Sequence, residues 1–273
     1  MSMFDDIVEL YHPQNEEQKI SAQREVMQKV ALAGLNRGGF FDHAAFYGGT
    51  CLRIFHGLKR YSEDMDFSLI EKDNHVHLED YFQSIVDEFK TVGMPVEIVK
   101  KDKKNFGRVE SAFLKEDTEA YDIKFQTKKT LKIKMELDTN PPLCFSTEQK
   151  LILQPYSFTV RCFTLPDLYA GKMHALVYRA WQKRVKGRDW YDFEWYVRNN
   201  TPLDFRHLQE RIREFNGNEV AKESFMADLR MKLSGTNINL VKQDVLPYIE
   251  NEHELDIWSS EYFLQLADMI RFE

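Results

Sequence analysis

The sequence predicts an α+β fold in which a small mixed sheet flanked by helices precedes a helical C-terminal region. Three observations support this prediction. Before about residue 163, short alternating apolar stretches lie between segments that have apolar residues at helical spacing. Beyond that point, helical spacing of apolar residues dominates. The length of 273 residues suffices for one large domain or two modest ones with a substantial core.

The composition excludes several classes of protein. Hydrophobic residues make up 43% of the chain and charged residues 30%, which is typical of a folded protein. No apolar run of about 18 residues is present, and the acidic N-terminus does not resemble a signal peptide. The three cysteines, Cys51, Cys144 and Cys162, form neither a metal pair nor a disulfide framework. We therefore expect a cytoplasmic protein.

The first part of the chain contains predicted helices and strands in alternation. Each predicted helix is followed by glycine, which commonly ends helices. These helices span residues 16–35, 51–56 and 78–92. The predicted strands span residues 44–47, 65–70, 96–99, 109–114, 123–126 and 131–138. In the last strand, every odd position is apolar and every even position is charged.

Helices dominate the C-terminal part of the sequence. Thr164 is suited to cap a helix, and Pro166 fits the first turn of that helix. A second helix starts near Arg188, and further helices are predicted over residues 203–213, 219–232 and 259–271. We therefore place a core domain at residues 1–163 and a helical domain, which completes the active-site cleft, at residues 164–273.

A glycine turn and a pair of aspartates are the main functional candidates. Gly48-Gly49-Thr50 is followed, after thirteen residues, by Asp64-Met65-Asp66. A glycine pair lets a phosphate approach main-chain N–H groups, and a helix that starts at Thr50 adds its own free N–H groups. On a strand, Asp64 and Asp66 share one face.

Two neighbouring carboxylates repel each other, and a divalent cation removes that repulsion. Magnesium favours a few carboxylates together with water and substrate phosphates, so Asp64 and Asp66 are candidate Mg²⁺ ligands. Glu136 completes the metal cluster if its strand lies beside the strand of Asp64 and Asp66. Ordinary explanations stay open, because most glycine pairs form simple turns and charged strand faces are commonly solvated.

A second group of candidates lies in the helical part. Lys172 is followed along the chain by Asp189 and Asp192, which are three residues apart near a helix start, where negative charge is favoured. The functional interpretation is a phosphate-binding lysine with an acid opposite it. The structural alternative is a helix-capping pair beside a solvated basic edge. That basic edge contains Arg179, Lys183, Arg184, Lys186 and Arg188.

The net charge of −7 argues against a protein that coats DNA in bulk. A local basic edge is nevertheless suited to binding RNA. The sequence lacks a nucleophile elbow, a Walker loop and a dinucleotide-type glycine fingerprint, so those classes of enzyme are not favoured.

Taken together, these motifs resemble the AbiEii/AbiGii toxin family. Residues 46–53 and 60–67 are similar to its first motif, Gly-Gly-Thr-x-Leu-Arg followed by Arg-Phe-Ser-x-Asp-Leu-Asp-Phe. Lys172 with Ala175-Leu176 resembles the family's lysine motif, and residues 186–192 resemble its Lys-x-Arg-Asp-x-x-Asp motif. Three motifs in the family's order are far more specific than any single one.

The resemblance implies a nucleotidyltransferase with a polymerase-beta-like fold. Gly48, Gly49 and Thr50 would then hold the triphosphate of the nucleotide. Arg53 and Ser62 would be supporting residues of the nucleotide-binding loop.

The resemblance also implies which residues carry the chemistry. Asp64 and Asp66 would bind magnesium, and Lys172 would contact a nucleotide phosphate. The third active-site acid stays open, because the general fold suggests Glu136 and the family motif suggests Asp189.

The activity implied by the resemblance is magnesium-dependent transfer of a nucleotidyl group from a nucleoside triphosphate to a hydroxyl, with release of pyrophosphate. The family suggests the toxin of a bacterial toxin–antitoxin or abortive-infection pair that acts in phage defence, with an antitoxin as protein partner. The basic edge favours an RNA acceptor such as the 3′ end of tRNA. The alternatives are a nucleotide-binding module without turnover and a transferase that modifies a protein or small-molecule hydroxyl.

Overall fold

The structure, a computed structural model, describes residues 2–73, 75–100, 118–125, 131–179 and 185–273. The chain divides into two compact units. Unit 1 comprises Met1–His56, Glu63–Pro141 and Thr147–Cys162. Unit 2 comprises Gly57–Ser62, Pro142–Ser146 and Phe163–Glu273. The division into a core domain and a helical domain at residue 163 stays a prediction.

Unit 1 contains a sheet and four α-helices among its described residues. The helices are α1 (Met3–Glu9), α2 (Glu16–Arg37), α3 (Gly48–His56) and α4 (Phe82–Thr91). The strands are β1 (Ala44–Tyr47), β2 (Asp64–Leu69), β3 (Val96–Lys100), β4 (Thr118–Phe125), β5 (Lys132–Asp138), β6 (Thr147–Ile152) and β7 (Phe158–Phe163, whose last residue belongs to unit 2).

The sheet of unit 1 is mixed, as predicted. Its strand order is β3-β4-β5-β2-β1-β7-β6. Strand β2 runs parallel to β5 and antiparallel to β1, so it lies near the middle of the sheet. Helix α2 packs against α4, and α3 packs against β2. The core contains the apolar side chains of the central strands, including Phe46, Met65, Phe67, Met135 and Leu137.

Unit 2 is mainly helical, as predicted. Its helices are α5 (Leu165–Tyr178), α6 (Gly187–Arg198), α7 (Phe205–Asn216), α8 (Lys222–Gly235), α9 (Ile238–Val245) and α10 (Ser260–Asp268). Helix α5 packs against α6 and α7, while α6 packs against α9. Trp190 of α6 is buried, and its ring lies 4.8 Å from that of Phe263 in an edge-to-face contact. Two short strands, β8 (Pro202–Leu203) and β9 (Arg271–Phe272), pair in parallel.

Three details of the predicted elements need correction. Helix α3 begins at Gly48 and not at residue 51, because the glycine turn itself forms the first helical turn. The sequence does not predict β6 and β7, and in β6 four of the six residues are polar and only Leu151 and Ile152 are apolar. Helices α1 and α9 were also not expected. The predicted strand at 109–114 lies outside the described residues.

None of the helices in the described part of the chain combines the length and the hydrophobicity that crossing a bilayer requires.

Candidate active site

The turn between β1 and α3 requires glycine at position 48. Gly48 has a φ angle of +82°, which L side chains rarely adopt. A Cβ atom on Gly48 would also overlap the carboxylate of Asp66. The Asp66 carboxylate therefore lies against the main chain at the N-terminus of α3. Free N–H groups at a helix start favour negative charge, so this end of unit 1 is suited to anions.

Strand pairing places the predicted acidic residues together. In the parallel register of β2 and β5, Asp64 pairs with Lys134 and Asp66 pairs with Glu136. Paired residues point to the same face of a sheet, and burial alternates accordingly along β5 and over residues 64–67 of β2. The expectation that Glu136 lies beside the strand of the aspartates is thus confirmed. We call Asp64, Asp66, Glu136 and Lys134 the acidic face.

Lys134 partly neutralises the acidic face. Its Nζ atom lies 2.6 Å from Oε1 of Glu136. Burial lowers the pKa of Lys134, but the ion pair with Glu136 and the negative charges of Asp64 and Asp66 outweigh burial, so the net pKa shift is upward. Lys134 therefore stays protonated, and Glu136 already has a cation as its partner.

The chemistry of the acidic face fits a divalent cation that arrives with a nucleotide. Among the described residues, no group of three or more His, Cys, Asp or Glu side chains is arranged to hold a metal ion. Magnesium does not need such a group, because it commonly takes one or two carboxylates and completes its shell with water and substrate phosphates. Asp64 and Asp66, on one face beside a glycine turn, match that donor set.

The residues next to the glycine turn hold the local structure. Thr50 is fully buried, and its hydroxyl donates a hydrogen bond to the main-chain carbonyl of Asp64. The Nε atom of Arg53 donates to Glu25 of α2 at 2.9 Å. The Thr50 contact ties the start of α3 to the start of β2, and the Arg53 contact ties α3 to α2.

In unit 2, the structure confirms that Asp189 and Asp192 share a helix face. The ammonium group of Lys172, on α5, lies 3.1 Å from Oδ1 of Asp189 and 2.8 Å from Oδ2 of Asp192. Both carboxylates are almost completely buried, and Lys172 is 16% exposed at its side chain. The structure therefore places a lysine between two buried acids, as the functional interpretation requires.

Arg60 is the fourth charged member of this group. Its Nε and Nη2 atoms donate to the two carboxylate oxygens of Asp192, each at 2.6 Å. Its Nη1 atom donates to the Tyr61 carbonyl at 3.0 Å. A planar guanidinium suits such two-pronged binding of a carboxylate. We call Arg60, Lys172, Asp189 and Asp192 the buried ion cluster.

Asp189 stays ionised in this cluster. Burial raises the pKa of its carboxyl, but Lys172, Lys186 and Arg179 outweigh burial and hold the pKa well below its ordinary value. Among contacts with the described residues, Asp189 Oδ2 makes no hydrogen bond although it is buried. For Lys186, burial lowers the pKa to about 8 despite the opposing charge of Asp189.

The basic edge is described only in part. Lys183 and Arg184 lie outside the described residues. Arg179 follows the last residue of α5, and the Arg188 guanidinium lies 4.2 Å from the centroid of the Tyr248 ring. The interpretation of this edge as an RNA-binding patch stays a prediction.

The predicted site residues thus fall into two groups, each within its own unit. Unit 1 holds the glycine turn, Arg53 and the acidic face. Unit 2 holds Lys172 and Asp189, together with Ser62, which is half-buried. The expectation that Asp64 and Asp66 share a pocket with Lys172 stays a prediction.

Sequence reasoning gave no role to Arg60 or Lys134, and it did not connect Arg60 with Asp192. Arg60 and Asp192 are 132 positions apart, so no spacing rule connects them. Both nevertheless lie within the motifs that carry the family resemblance. Lys134 stands two residues before Glu136, and strand periodicity alone places the two on one face.

A mixed sheet that presents an aspartate pair beside a glycine turn defines a class of protein that handles nucleotides. Residues 30–272 match the family described as "Nucleotidyl transferase AbiEii toxin, Type IV TA system". The chain belongs to this family of AbiEii nucleotidyltransferase toxins. It is therefore a nucleotidyltransferase enzyme and the toxin of a type IV toxin–antitoxin system, which implies an antitoxin partner and a nucleoside triphosphate substrate.

Solved structures show the same fold. The chain is similar to MenT4, the nucleotidyltransferase toxin Rv2826c of Mycobacterium tuberculosis H37Rv, with 14% identity and a TM-score of 0.59 over 97% of this chain and 93% of that one. It is also similar to the H. pylori protein described as a "putative nucleotidyltransferase", with 16% identity and a TM-score of 0.50 over 91% and 92% of the two chains. No curated protein sequence matches this chain. At these identities the similarity concerns the fold alone.

Proposed function

We propose that this enzyme transfers a nucleotidyl group from a nucleoside triphosphate to a hydroxyl of RNA, with the 3′ end of tRNA as the leading acceptor, in a magnesium-dependent reaction. The observation that carries the proposal is the contact of Asp66 with Gly48. It puts a metal-binding carboxylate directly beside a helix start suited to phosphate.

In unit 1, the proposed roles divide between metal and phosphate. Asp64 and Asp66 would bind Mg²⁺, which neutralises charge on the phosphates and on the leaving pyrophosphate. The main-chain N–H groups of Gly48, Gly49 and Thr50 would hold the triphosphate. Thr50 would contribute only its N–H group, because its hydroxyl donates to the Asp64 carbonyl.

In unit 2, Lys172 would bind a nucleotide phosphate through its ammonium group. Asp189 Oδ2, which is buried and makes no hydrogen bond to a described residue, would accept one from the attacking hydroxyl and orient it. The acceptor oxygen then forms a bond to the α-phosphorus, and the bond between the α-phosphorus and the bridging oxygen breaks. Pyrophosphate leaves, and the hydroxyl proton is released to water.

The two candidates for the third active-site acid are best distinguished by the role that each could fill. Glu136 lies on the acidic face, but a metal-binding role requires its ion pair with Lys134 to open. Asp189 has an oxygen without a partner among the described residues, which supports a role at the acceptor. We therefore propose Asp189 as the acid at the acceptor, and Glu136 as a further ligand only when Lys134 moves away.

The proposal of an RNA acceptor rests on the positive charge of the basic edge. The basic edge gives unit 2 several cations in one stretch of chain, and phosphate contacts are the main source of affinity for nucleic acids. Nucleoside triphosphates and tRNA share the cytoplasm, which is the proposed compartment. Phage defence is the proposed biological role.

The proposal is tested by label transfer. The protein is incubated with each of the four nucleoside triphosphates, labelled at the α-phosphate, with Mg²⁺ and total tRNA, and the products are separated by size. We expect label on tRNA with at least one nucleotide and none when a chelator removes the metal. Binding of tRNA should weaken steeply as salt rises.

Two variants sharpen this assay. Asp66→Asn should lower transfer on the order of 10³-fold, whereas Asp87→Asn, on the exposed surface of α4 in the same unit, should leave it unchanged. Label on the toxin or on another protein would replace the RNA acceptor with a protein hydroxyl. No transfer to RNA, protein or an added small molecule would refute the proposed reaction.

A further inference from the structure

Arg60 is the most deeply buried cation near the proposed phosphate-binding lysine. It comes from the connecting segment Gly57–Ser62, and it is 1% exposed. Both of its bonds to Asp192 are short, and Asp192 is fully buried. Inside a protein, such a two-pronged ion pair compensates nearly the whole charge of the carboxylate.

Lys172 shares Asp192 with Arg60. Its ammonium lies within 3.1 Å of two carboxylates, those of Asp189 and Asp192. Asp189 also has Lys186 and Arg179 as cations nearby, whereas the charges that act on Asp192 are those of Arg60 and Lys172. Without Arg60, the charge of Asp192 would therefore act on Lys172 alone and would repel an incoming phosphate. Arg60 compensates this charge, because its guanidinium binds both carboxylate oxygens of Asp192.

We propose that Arg60 is a positioning residue that neutralises Asp192 and so keeps Lys172 available to a nucleotide phosphate. This inference rests on the proposed phosphate role of Lys172. Arg60 itself does not touch the nucleotide. It acts through Asp192, which fixes the Lys172 ammonium from one side while Arg60 compensates the negative charge of Asp192.

A purely structural role for Arg60 must be distinguished from this one. Arg60 also ties its segment to α6, so its removal reduces stability under either interpretation. The two interpretations differ in the effect of a second substitution. If charge balance matters, removing the charge of Asp192 must rescue a protein that has lost the charge of Arg60. If Arg60 only holds its segment against α6, the second substitution must leave nucleotide binding impaired.

The test is a double-mutant cycle with Arg60→Gln, Asp192→Asn and the combined variant. Affinity for each nucleoside triphosphate with Mg²⁺ is measured by calorimetry, and thermal unfolding is measured on the same samples. We expect Arg60→Gln to weaken nucleotide binding about tenfold or more. The double variant should bind within about threefold of the wild type, although its Tm stays lower.

A fourth variant keeps the test valid if Arg60→Gln does not fold. Arg60→Lys retains the positive charge but loses the two-pronged geometry. Its nucleotide affinity should stay within about threefold of the wild type even though its Tm falls. Loss of affinity in Arg60→Lys, or a double variant that binds as poorly as Arg60→Gln, would overturn the inference.

Lys172→Met separates failure of this inference from failure of the proposed function. If Lys172→Met binds nucleotide as tightly as the wild type, the phosphate role of Lys172 is wrong, and the inference about Arg60 is wrong with it. If Lys172→Met weakens binding while the double variant shows no rescue, only the inference about Arg60 is wrong.

Discussion

The acidic face of unit 1 and the buried ion cluster of unit 2 use the same kinds of side chain in opposite ways. The acidic face carries three carboxylates and one lysine, all partly exposed, so its own members carry more negative than positive charge. The buried ion cluster carries two carboxylates and two cations, and Asp192 and Arg60 are almost fully enclosed. Charge is therefore unbalanced in one region and balanced in the other.

This difference indicates what each region is suited to bind. Unbalanced negative charge near a surface attracts a cation, and adding a cation relieves the repulsion. A balanced cluster with further cations nearby, such as Lys186 and Arg179, is suited to a phosphate. The two regions should thus respond differently to the same substitution.

The largest contrast is expected from replacing aspartate by asparagine in each region. Asp66→Asn removes a proposed metal ligand, so transfer should fall on the order of 10³-fold, while Tm stays unchanged or rises because repulsion is relieved. Asp192→Asn leaves buried Arg60 without its partner, which should cost about 3–5 kcal/mol of unfolding free energy. Label transfer and chemical unfolding measure the two effects. A large loss of stability in Asp66→Asn would contradict the contrast.

A smaller effect is expected from the glycine turn. Gly48→Ala must adopt a positive φ and must also displace the Asp66 carboxylate, so transfer should fall about 10²-fold. Gly57→Ala is a matched control, because Gly57 also has a positive φ of +76° but has no atom within 4 Å of a built Cβ. Gly57→Ala should lose about 1–2 kcal/mol of stability and keep its transfer rate. Equal loss of transfer in both variants would show that only backbone strain matters.

Acid should destabilise the protein through two buried histidines of unit 2. Burial lowers the pKa of His174 and of His207 from 6.5 to about 3. Below pH 6.5 the two imidazole rings bind protons in the unfolded chain but stay neutral in the folded chain. The stability contribution is therefore complete above pH 6.5 and is lost as pH falls, by at most about 1.4 kcal/mol per pH unit for each ring.

Thermal unfolding between pH 7.5 and pH 5 checks this effect. His174→Gln should show a shallower fall of Tm with acid than the wild type. His253→Gln, at an exposed position, should follow the wild type. Asp167 acts in the opposite direction, because burial raises its pKa to about 6, and the folded state then binds an extra proton below that pH. A Tm that does not depend on His174 would contradict the assignment.

The smallest effect concerns Lys134. Lys134→Gln removes the cation next to Glu136, so the acidic face should bind Mn²⁺, as a probe for Mg²⁺, about threefold to tenfold more tightly. Lys150→Gln breaks a comparable ion pair with Glu148 on β6 and should leave Mn²⁺ affinity unchanged. Electron paramagnetic resonance of free Mn²⁺ measures both. Unchanged or weaker binding in Lys134→Gln would show that Lys134 does not compete with the metal.

Local patterns predicted most of the fold. Helix α2 follows helical spacing and ends before Gly38 and Gly39, and β5 follows strict alternation over seven residues. These elements are readable because one face is buried and the other is not. Strand β6 is not readable in this way, because four of its six residues are polar and main-chain pairing with its neighbour holds the strand. Strand β7 does alternate between buried and more exposed residues over most of its length, so this strand was readable from its pattern.

For the candidate site, the sequence supplied candidate residues whose roles stay predictions. The motifs gave Gly48, Asp64, Asp66, Lys172 and Asp189 as candidates, and the register of β2 and β5 confirms the predicted neighbourhood of Glu136. The groups that bind these residues in the folded protein were not predicted. Lys134 binds Glu136, and the Thr50 hydroxyl binds the carbonyl of Asp64 and is not left for a phosphate.

The order of residues is sufficient to predict the periodic elements, the family and the candidate active-site side chains, because these depend on residue type and on short spacing. Which charged groups meet depends on the three-dimensional fold. Arg60 binds Asp192 across 132 positions, and Asp66 rests on Gly48, because chain folding and strand register bring distant residues within bonding distance. The strength of an electrostatic interaction depends on that distance and on burial. Neither quantity can be read from the order of residues along the chain.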